Sequence, residues 1–152
     1  MNGKLAILAR AAAIAIVALT LGIGAARAQT PGLTVQVLAQ GTAEYDPIIG
    51  GPADVAVVSI TLAPGSGTGW HRHAGRVWGV ITRGTLTITE HDGCHLTYPT
   101  GAVRVEIPND VHEGRNLGAE PLEMIVTYVI AAGQPLSIEV PAPTATCAPK
   151  SG

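Results

Sequence analysis

Beyond residue 28, every apolar stretch of this chain is short, rich in β-branched residues and bounded by glycine, proline or an Asp-Gly pair. No stretch repeats apolar residues at intervals of three and four, as an amphipathic helix would. Short β-branched segments separated by turn residues are typical of strands. The pattern predicts ten strands, at residues 33–39, 54–63, 69–74, 77–82, 85–91, 94–98, 102–107, 111–116, 122–131 and 136–140. The fold class expected is therefore all-β, as a two-sheet sandwich or barrel.

Two of the predicted strands alternate cleanly between apolar and polar residues. Leu86 and Ile88 alternate with threonines, and the apolar residues of 103–107 alternate with Arg104 and Glu106. Successive side chains of a strand point to opposite faces, so each strand should have one dry face and one wet face. We expect the apolar residues of both strands to face the core.

The first 28 residues have the features of a cleaved secretory signal. A basic start is followed by an apolar run at residues 11–23 and by an A-x-A cleavage pattern at 26–28. The apolar run is short for a membrane span, and no later segment could supply one. We therefore expect a mature protein that begins at Gln29 and is periplasmic or secreted. An uncleaved signal anchor is the alternative, which the small residues around the cleavage site disfavour.

The mature chain has 124 residues, a size suited to one domain with a single core. We expect a β-barrel domain at residues 29–140 and a proline-rich tail at 141–152. Six basic residues then stand against eleven acidic ones, for a net charge of −5 with neutral histidines. No basic cluster remains that could follow a phosphate backbone, which argues against a nucleic-acid partner.

Both cysteines, Cys94 and Cys147, lie in the mature chain, and an oxidising compartment favours a disulfide between them. Such a bond would hold the proline-rich tail against the domain. Two alternatives stay open at this point: a free pair, or Cys94 as a soft metal ligand. Neither cysteine has the close Cys or His spacing of a thiolate site.

Three of the five histidines are candidates for a metal site. His71 and His73 are one residue apart, so on a strand they share a face, and His112 follows between other predicted strands. Three imidazoles brought together could hold one ion. For His91 and His95, which flank an Asp-Gly turn, we expect exposure to solvent.

The spacing of these histidines resembles the two motifs of the cupin superfamily. Residues 65–84 read G-x5-H-x-H-x10-G, and residues 101–116 read G-x10-H-x3-N. The gap between them, residues 85–100, also has a length typical of the family. The resemblance implies a small double-stranded β-barrel, or jelly roll, with His71, His73 and His112 as metal ligands. We interpret Asn116 as a turn-stabilising side chain rather than a ligand.

The chain departs from the family pattern at the position of a fourth ligand. The first cupin motif usually carries a glutamate where this chain has Val77. Glu106 and Glu113 are the nearby acids, but strand parity predicts that both point away from the metal face. In the second motif, Pro108 and Asn109 could form the usual bend one residue displaced. The sequence therefore predicts a three-histidine site without a carboxylate.

Such a site implies one divalent transition metal, Fe, Mn, Ni, Cu or Zn, whose charge would attract a small anionic molecule. Three-histidine cupins include dioxygenases, so an iron-dependent dioxygenase is the enzymatic expectation, with no catalytic or substrate-binding residue assigned. Two alternatives stay open: a non-catalytic module that binds or senses a small ligand or metal, and a purely structural barrel. Family habit also suggests a homodimer formed through residues 33–39 as an edge strand.

Overall fold

The computed structural model describes residues 30–148 and contains strands but no helix in that range. The all-β prediction is confirmed. The ten strands are β1 (Leu33–Asp46), β2 (Gly51–Leu62), β3 (His71–Arg72), β4 (Gly75–Arg83), β5 (Thr85–Glu90), β6 (His95–Pro99), β7 (Val103–Glu106), β8 (His112–Arg115), β9 (Leu122–Ala131) and β10 (Ile138–Glu139). The predicted signal peptide, residues 1–28, lies outside the described residues. Within them there is no helix that is long and apolar enough to cross a membrane.

The strands form two five-stranded antiparallel sheets that enclose one core. One sheet, here called sheet A, has the order β1-β2-β9-β4-β7, and the other, sheet B, has the order β10-β3-β8-β5-β6. From β6 onward, consecutive strands alternate between the sheets, so the chain winds into the predicted jelly roll. This arrangement brings β3 and β8 of one sheet opposite β4 and β9 of the other.

The core lies between the sheets and is built by residues of period two. Along β9, each second residue from Leu122 to Ile130 is buried and each residue between is only partly covered. Sheet B contributes Leu86 and Ile88 from β5, as the sequence predicts, although Thr87 between them is also buried. One apolar layer therefore holds both sheets together.

Strand β1 is longer than predicted and lies at the edge of sheet A. The sequence predicts a strand at 33–39, but pairing with β2 continues to Asp46, with register shifts between Val37 and Ala39 and before Asp46. The partner strand extends the pairing because a hydrogen-bonded neighbour stabilises polar residues that have little strand propensity of their own. The prediction of an edge strand is confirmed.

Strand β7 reverses the predicted faces. Val103 and Val105 are 54% and 45% exposed, whereas Arg104 is only 9% exposed. Glu106 also faces inward, with a side chain that is 11% exposed. The expectation of an apolar inner face is wrong here, because pairing with β4 sets the orientation of β7 and the inward charges find partners among one another.

A disulfide joins Cys94 to Cys147 and holds the tail on the turn between β5 and β6. The tail packs tightly there: a Cβ atom on Gly93 would lie 2.7 Å from the carbonyl oxygen of Ala145. Gly93 also has a φ of +80°, which favours glycine. The two alternatives for the cysteines, a free pair and a metal ligand, are therefore wrong.

Asn116 closes the end of β8 as a buried polar support. Its Nδ2 donates to the carbonyl oxygens of Leu62 and Glu120, at 2.9 and 2.8 Å, and its Oδ1 accepts from the Gly118 amide. The side chain thus ties three segments together, and its predicted role in stabilising a turn is confirmed.

Candidate metal centre

Sheet B brings the three motif histidines together at the interior of the barrel. His71 begins β3, His73 follows that strand, and His112 begins β8 directly opposite His71. All three are buried, at 8%, 2% and 1% exposure. Their ring centroids are separated by 4.6 to 5.5 Å, and one ring nitrogen from each lies within 4.8 Å of the others. The predicted convergence of the three imidazoles is therefore present.

Backbone carbonyls orient all three rings in the same way. Each Nδ1 lies at hydrogen-bonding distance from a carbonyl oxygen, which can only accept. The pairs are His71 with Gly69 at 2.8 Å, His73 with Leu136 at 2.6 Å and His112 with Asp110 at 3.2 Å. The Nδ1 atoms therefore donate, and a neutral ring then keeps its lone pair on Nε2, as metal-binding histidines do.

Glu106 enters the same cluster, against the prediction from strand parity. Its Oε2 lies 3.1 Å from Nε2 of His73, and its Oε1 lies 3.2 Å from Nε2 of His112. The reason is register: Glu106 stands directly opposite Val77, whose side chain points inward, and opposed residues share a face. The sequence did contain a signal for this role. The motif glutamate is missing at Val77 on β4, and the neighbouring strand β7 carries an acid, Glu106.

The turn between β7 and β8 holds Glu106 and His112 in place. Asn109 adopts a left-handed conformation, with φ at +65°, which asparagine tolerates well. Its amide donates to the carbonyl oxygen of His73 at 2.9 Å, and its side chain accepts from Arg72. The bend expected at Pro108 and Asn109 is confirmed, and it joins the two motifs through backbone contacts.

Arg104 lies behind Glu106 but is bound to other groups. Its guanidinium pairs with Glu90 at 2.8 Å and donates to the Tyr98 hydroxyl at 3.0 Å. Burial alone would lower the pKa of Arg104, but the Tyr98 hydrogen bond and the Glu90 charge more than offset it and raise the pKa. The closest approach to Glu106 is 3.9 Å, from Nε to Oε1, and that Nε has no hydrogen-bond partner. Arg104 therefore stays charged and makes only a long ion pair with Glu106, without a hydrogen bond.

The histidines differ in how their surroundings affect their protonation. Burial, reinforced by the nearby His112, lowers the pKa of His71 to about 4. For His112, burial is outweighed by the hydrogen bond to Glu106, so its pKa is raised above the ordinary value. Burial would also raise the pKa of Glu106, but hydrogen bonds from His112 and His73 hold that pKa well below its usual range. Glu106 is therefore a carboxylate at neutral pH.

A cavity of about 40 Å³ adjoins the cluster. Apart from the charged groups, its wall is mostly apolar, formed by Ile60, Val77, Leu86, Ile88, Met124 and Val126. Tyr128 also lines it, with its ring centroid 5.4 Å from that of His73. Burial raises the pKa of the Tyr128 hydroxyl, and the Glu106 charge adds to the effect. The phenol thus keeps its proton at neutral pH.

The donor set suits a transition metal. Neutral imidazoles are ligands for Fe, Mn, Ni, Cu and Zn, and rings that donate from Nδ1 have the tautomer these ions require. Buried imidazoles fixed by backbone carbonyls also lose little side-chain entropy on binding an ion. The residues present therefore fit a bound divalent ion.

The other acids and histidines named from the sequence lie outside the cluster. His91 and His95 are exposed, as predicted, and His95 contacts Thr89 at 3.0 Å. Glu113 follows His112 on β8 and does not line the cavity, which agrees with its predicted orientation. Glu106 is therefore the one acid near the histidines whose orientation the sequence mispredicted.

Comparison with known proteins supports the fold. Residues 58–128 match the model of a cupin domain family. A double-stranded β-helix protein from Klebsiella pneumoniae is similar in structure, with a TM-score of 0.55 and 18% identity over 70% of this chain and 84% of that one. A cupin superfamily protein from Desulfitobacterium hafniense has a TM-score of 0.51 and 16% identity over 68% of this chain and 83% of that one.

A third similar structure comes from crystal structures of the DMSP lyases RdDddP and RnDddQII. Its TM-score is 0.50 at 20% identity, over 57% of this chain and 44% of that one. No curated protein is significantly similar in sequence to this chain. At these identities the structures show a shared fold and nothing about the reaction. Together with the matched domain and the two histidine motifs, they support membership of this chain in the cupin superfamily.

Proposed function

We propose that this chain binds one divalent transition metal through His71, His73 and His112 and presents it to a small molecule in the adjoining cavity. The proposal rests on the common orientation of the three buried imidazole rings, each of which is fixed by a hydrogen bond from Nδ1 to a backbone carbonyl oxygen. This arrangement supports ligation through Nε2, because it sets the tautomer before the ion arrives.

The reaction class that we propose is a dioxygenase reaction, in which both atoms of O₂ enter a small anionic substrate. A bound ion with open positions would supply oxygen activation and attract the anion. The chain's own contribution is an apolar wall that limits water and a Tyr128 hydroxyl that keeps its proton beside the site. Iron is the metal that this chemistry favours.

The alternative is a module that binds a metal or a small ligand without turnover. Two observations favour it. Glu106 contacts Nε2 of both His73 and His112, and the cavity of about 40 Å³ has room for only about three water molecules. A tightly occupied, narrow site is better suited to retention than to rapid exchange of substrate.

Metal content tests the first step of both candidates. Protein purified from its native compartment should contain one transition metal per chain, and His73→Ala should lose it, because the variant lacks one of the three imidazole ligands. Elemental analysis of the two proteins gives the answer. The same sub-stoichiometric metal content in both would contradict the proposal.

Oxygen consumption separates the two candidates. With iron bound, a dioxygenase should consume O₂ in the presence of small thiols, diketones or aromatic acids and form products that carry label from ¹⁸O₂. A binding module should show only a rise in the melting temperature with one of these compounds. His112→Ala is the control, because it removes a ligand and leaves the apolar residues of the cavity wall in place.

We also propose that the protein is exported and acts as a homodimer. The Cys94–Cys147 disulfide supports an oxidising compartment such as the periplasm. Strand β1 supports self-association, because it is an edge strand that exposes Val35, Val37 and Leu38. Fractionation of the native host and light scattering of the purified protein test the two proposals.

A further inference from the structure

We infer that Glu106 supplies a fourth, carboxylate ligand to the metal from β7, the strand beside the one on which the cupin motif usually carries its glutamate. The inference rests on the proposed function, since it assigns an additional ligand to that same ion. It replaces the three-histidine site expected from the sequence with a site of three nitrogens and one oxygen.

Register explains how a carboxylate can reach the centre from β7. Across sheet A, a single inward row runs from Ala56 through Tyr128 and Val77 to Glu106, each opposite the next. Opposed residues of antiparallel strands have Cβ atoms about 5 Å apart on the same face. Glu106 therefore approaches the histidines from the position next to Val77.

The distances agree with two ligands of one ion. Atoms bound to one ion at about 2.1 Å, at right or tetrahedral angles, lie about 3.0 to 3.4 Å apart. The separations from Glu106 to Nε2 are 3.1 Å for His73 and 3.2 Å for His112. Each carboxylate oxygen thus has the spacing to an imidazole nitrogen that shared coordination requires.

The chemistry of these contacts calls for a positive charge among them. Both rings donate from Nδ1, so in their neutral form Nε2 and the carboxylate oxygen direct lone pairs at one another. One divalent ion would satisfy both nitrogens and the carboxylate at once. Protons on the imidazoles could do the same, which makes an ion-pair cluster without metal the competing state.

Glu106 is available as a ligand because the neighbouring cation is bound elsewhere. Arg104 pairs with Glu90 and Tyr98, and it reaches Glu106 only at 3.9 Å without a hydrogen bond. A carboxylate on the ion would reduce the charge of the site from two to one. The site would then favour singly charged or neutral small molecules over dianions.

Cobalt(II) titration of the whole mature protein tests the inference, with affinity and the visible absorption bands as readouts. Glu106→Gln should weaken Co²⁺ binding by about 100-fold or more and change the bands, because it removes a charged oxygen ligand while keeping the side-chain size. Glu113→Gln is the matched control, since Glu113 lies on β8 outside the cavity and should bind like wild type. Val77→Glu combined with Glu106→Val should restore binding by returning the carboxylate to the adjacent strand.

The outcomes distinguish this inference from the proposed function. If wild type binds Co²⁺ and Glu106→Gln has the same affinity and spectrum, Glu106 is not a ligand while the three-histidine proposal stands. If wild type binds no Co²⁺, both are overturned and the cluster is held by protons. Weakened binding in Glu106→Gln with partial rescue in the double variant supports the inference.

A measurement on wild type alone guards against a variant that fails to fold. Difference infrared spectra on adding Co²⁺ should show a shifted carboxylate stretch, and the same shift should appear in Glu113→Gln. Binding of Co²⁺ without any carboxylate shift would overturn the inference without reference to Glu106→Gln.

Discussion

Strands β5 and β7 have similar sequence patterns but opposite orientations. Both alternate apolar with polar residues, and β5 buries its apolar side chains, Leu86 and Ile88, at 3% and 2% exposure. In β7, Val103 and Val105 are about half exposed, and the charged residues between and after them face the interior. Alternation thus identifies which residues share a face without identifying which face is inside.

The difference follows from what each strand contacts. Strand β5 faces the apolar residues of sheet A, where every buried Å² of apolar surface contributes about 25 cal/mol. Strand β7 faces the histidine cluster and the Glu90–Arg104 pair, where inward charges have partners. Local rules of this kind fail at functional sites more often than elsewhere. The reversed strand therefore coincides with the candidate metal centre.

The largest effect should come from β5. Ile88→Ala should lower the free energy of unfolding by about 3 kcal/mol, because it opens a cavity in a packed core. Urea denaturation measures the loss. Metal stoichiometry should remain that of wild type, and a loss below about 1 kcal/mol would mean that β5 contributes little to the core.

A smaller loss is expected for the buried charge of β7. Arg104→Met should lower the free energy of unfolding by about 2 kcal/mol, since it leaves the Glu90 carboxylate and the Tyr98 hydroxyl without their partner. The same denaturation measurement applies, with Arg83→Met as control because Arg83 pairs only at the surface. An Arg104→Met protein as stable as wild type would show that the inward charges of β7 do not stabilise the fold.

The pH dependence of the metal-free protein should reflect the histidine cluster that β7 faces, on β3 and β8, and not β5. Because the pKa of His71 is lowered, the unfolded chain binds more protons than the folded chain between about pH 6.5 and pH 4. The free energy of unfolding should therefore fall on acidification, by a loss on the order of 1 kcal/mol at pH 5. The raised pKa of His112 acts oppositely, and its contribution is lost as the pH rises above 6.5. Stability should therefore peak near pH 6.5.

Denaturation in the presence of a chelator, repeated across pH, checks this maximum. Ile88→Ala should lower the whole curve without moving its peak, because β5 carries no titrating group of the cluster. A His71→Gln variant should lose the decline between about pH 6.5 and pH 5, whereas the loss below about pH 4.5 that comes from Glu106 should remain. Retention of the full decline in that variant would assign it to other groups.

The smallest effect should come from the outward face of β7. Val105→Thr should change the free energy of unfolding by less than about 0.5 kcal/mol, because Val105 is already 45% exposed. Had the strand the orientation predicted from its sequence, a buried hydroxyl would cost about 1 to 3 kcal/mol. Denaturation of the variant thus tests the orientation directly, and a loss in the larger range would refute it.

Much of the fold could be predicted because strands and turns have local signals. The period of two correctly put His71 and His73 on one buried face, and turn residues marked most strand ends to within a few residues. The role of Glu106 could not be predicted in the same way. Its orientation depends on pairing with Val77, and residues 29 positions apart in the chain have no local pattern that sets their register.

The sequence by itself determined the all-β class, the two histidine motifs and the presence of two cysteines that could pair. These depend on side-chain chemistry and short-range spacing, which persist in any conformation. Only the tertiary structure decided that β7 faces its charges inward, that Glu106 reaches the histidines and that the tail lies on the turn at Gly93. The physical reason is that hydrogen-bonded register between distant strands selects one face of each strand as the interior, and the energy of that choice depends on partners that no local segment contains.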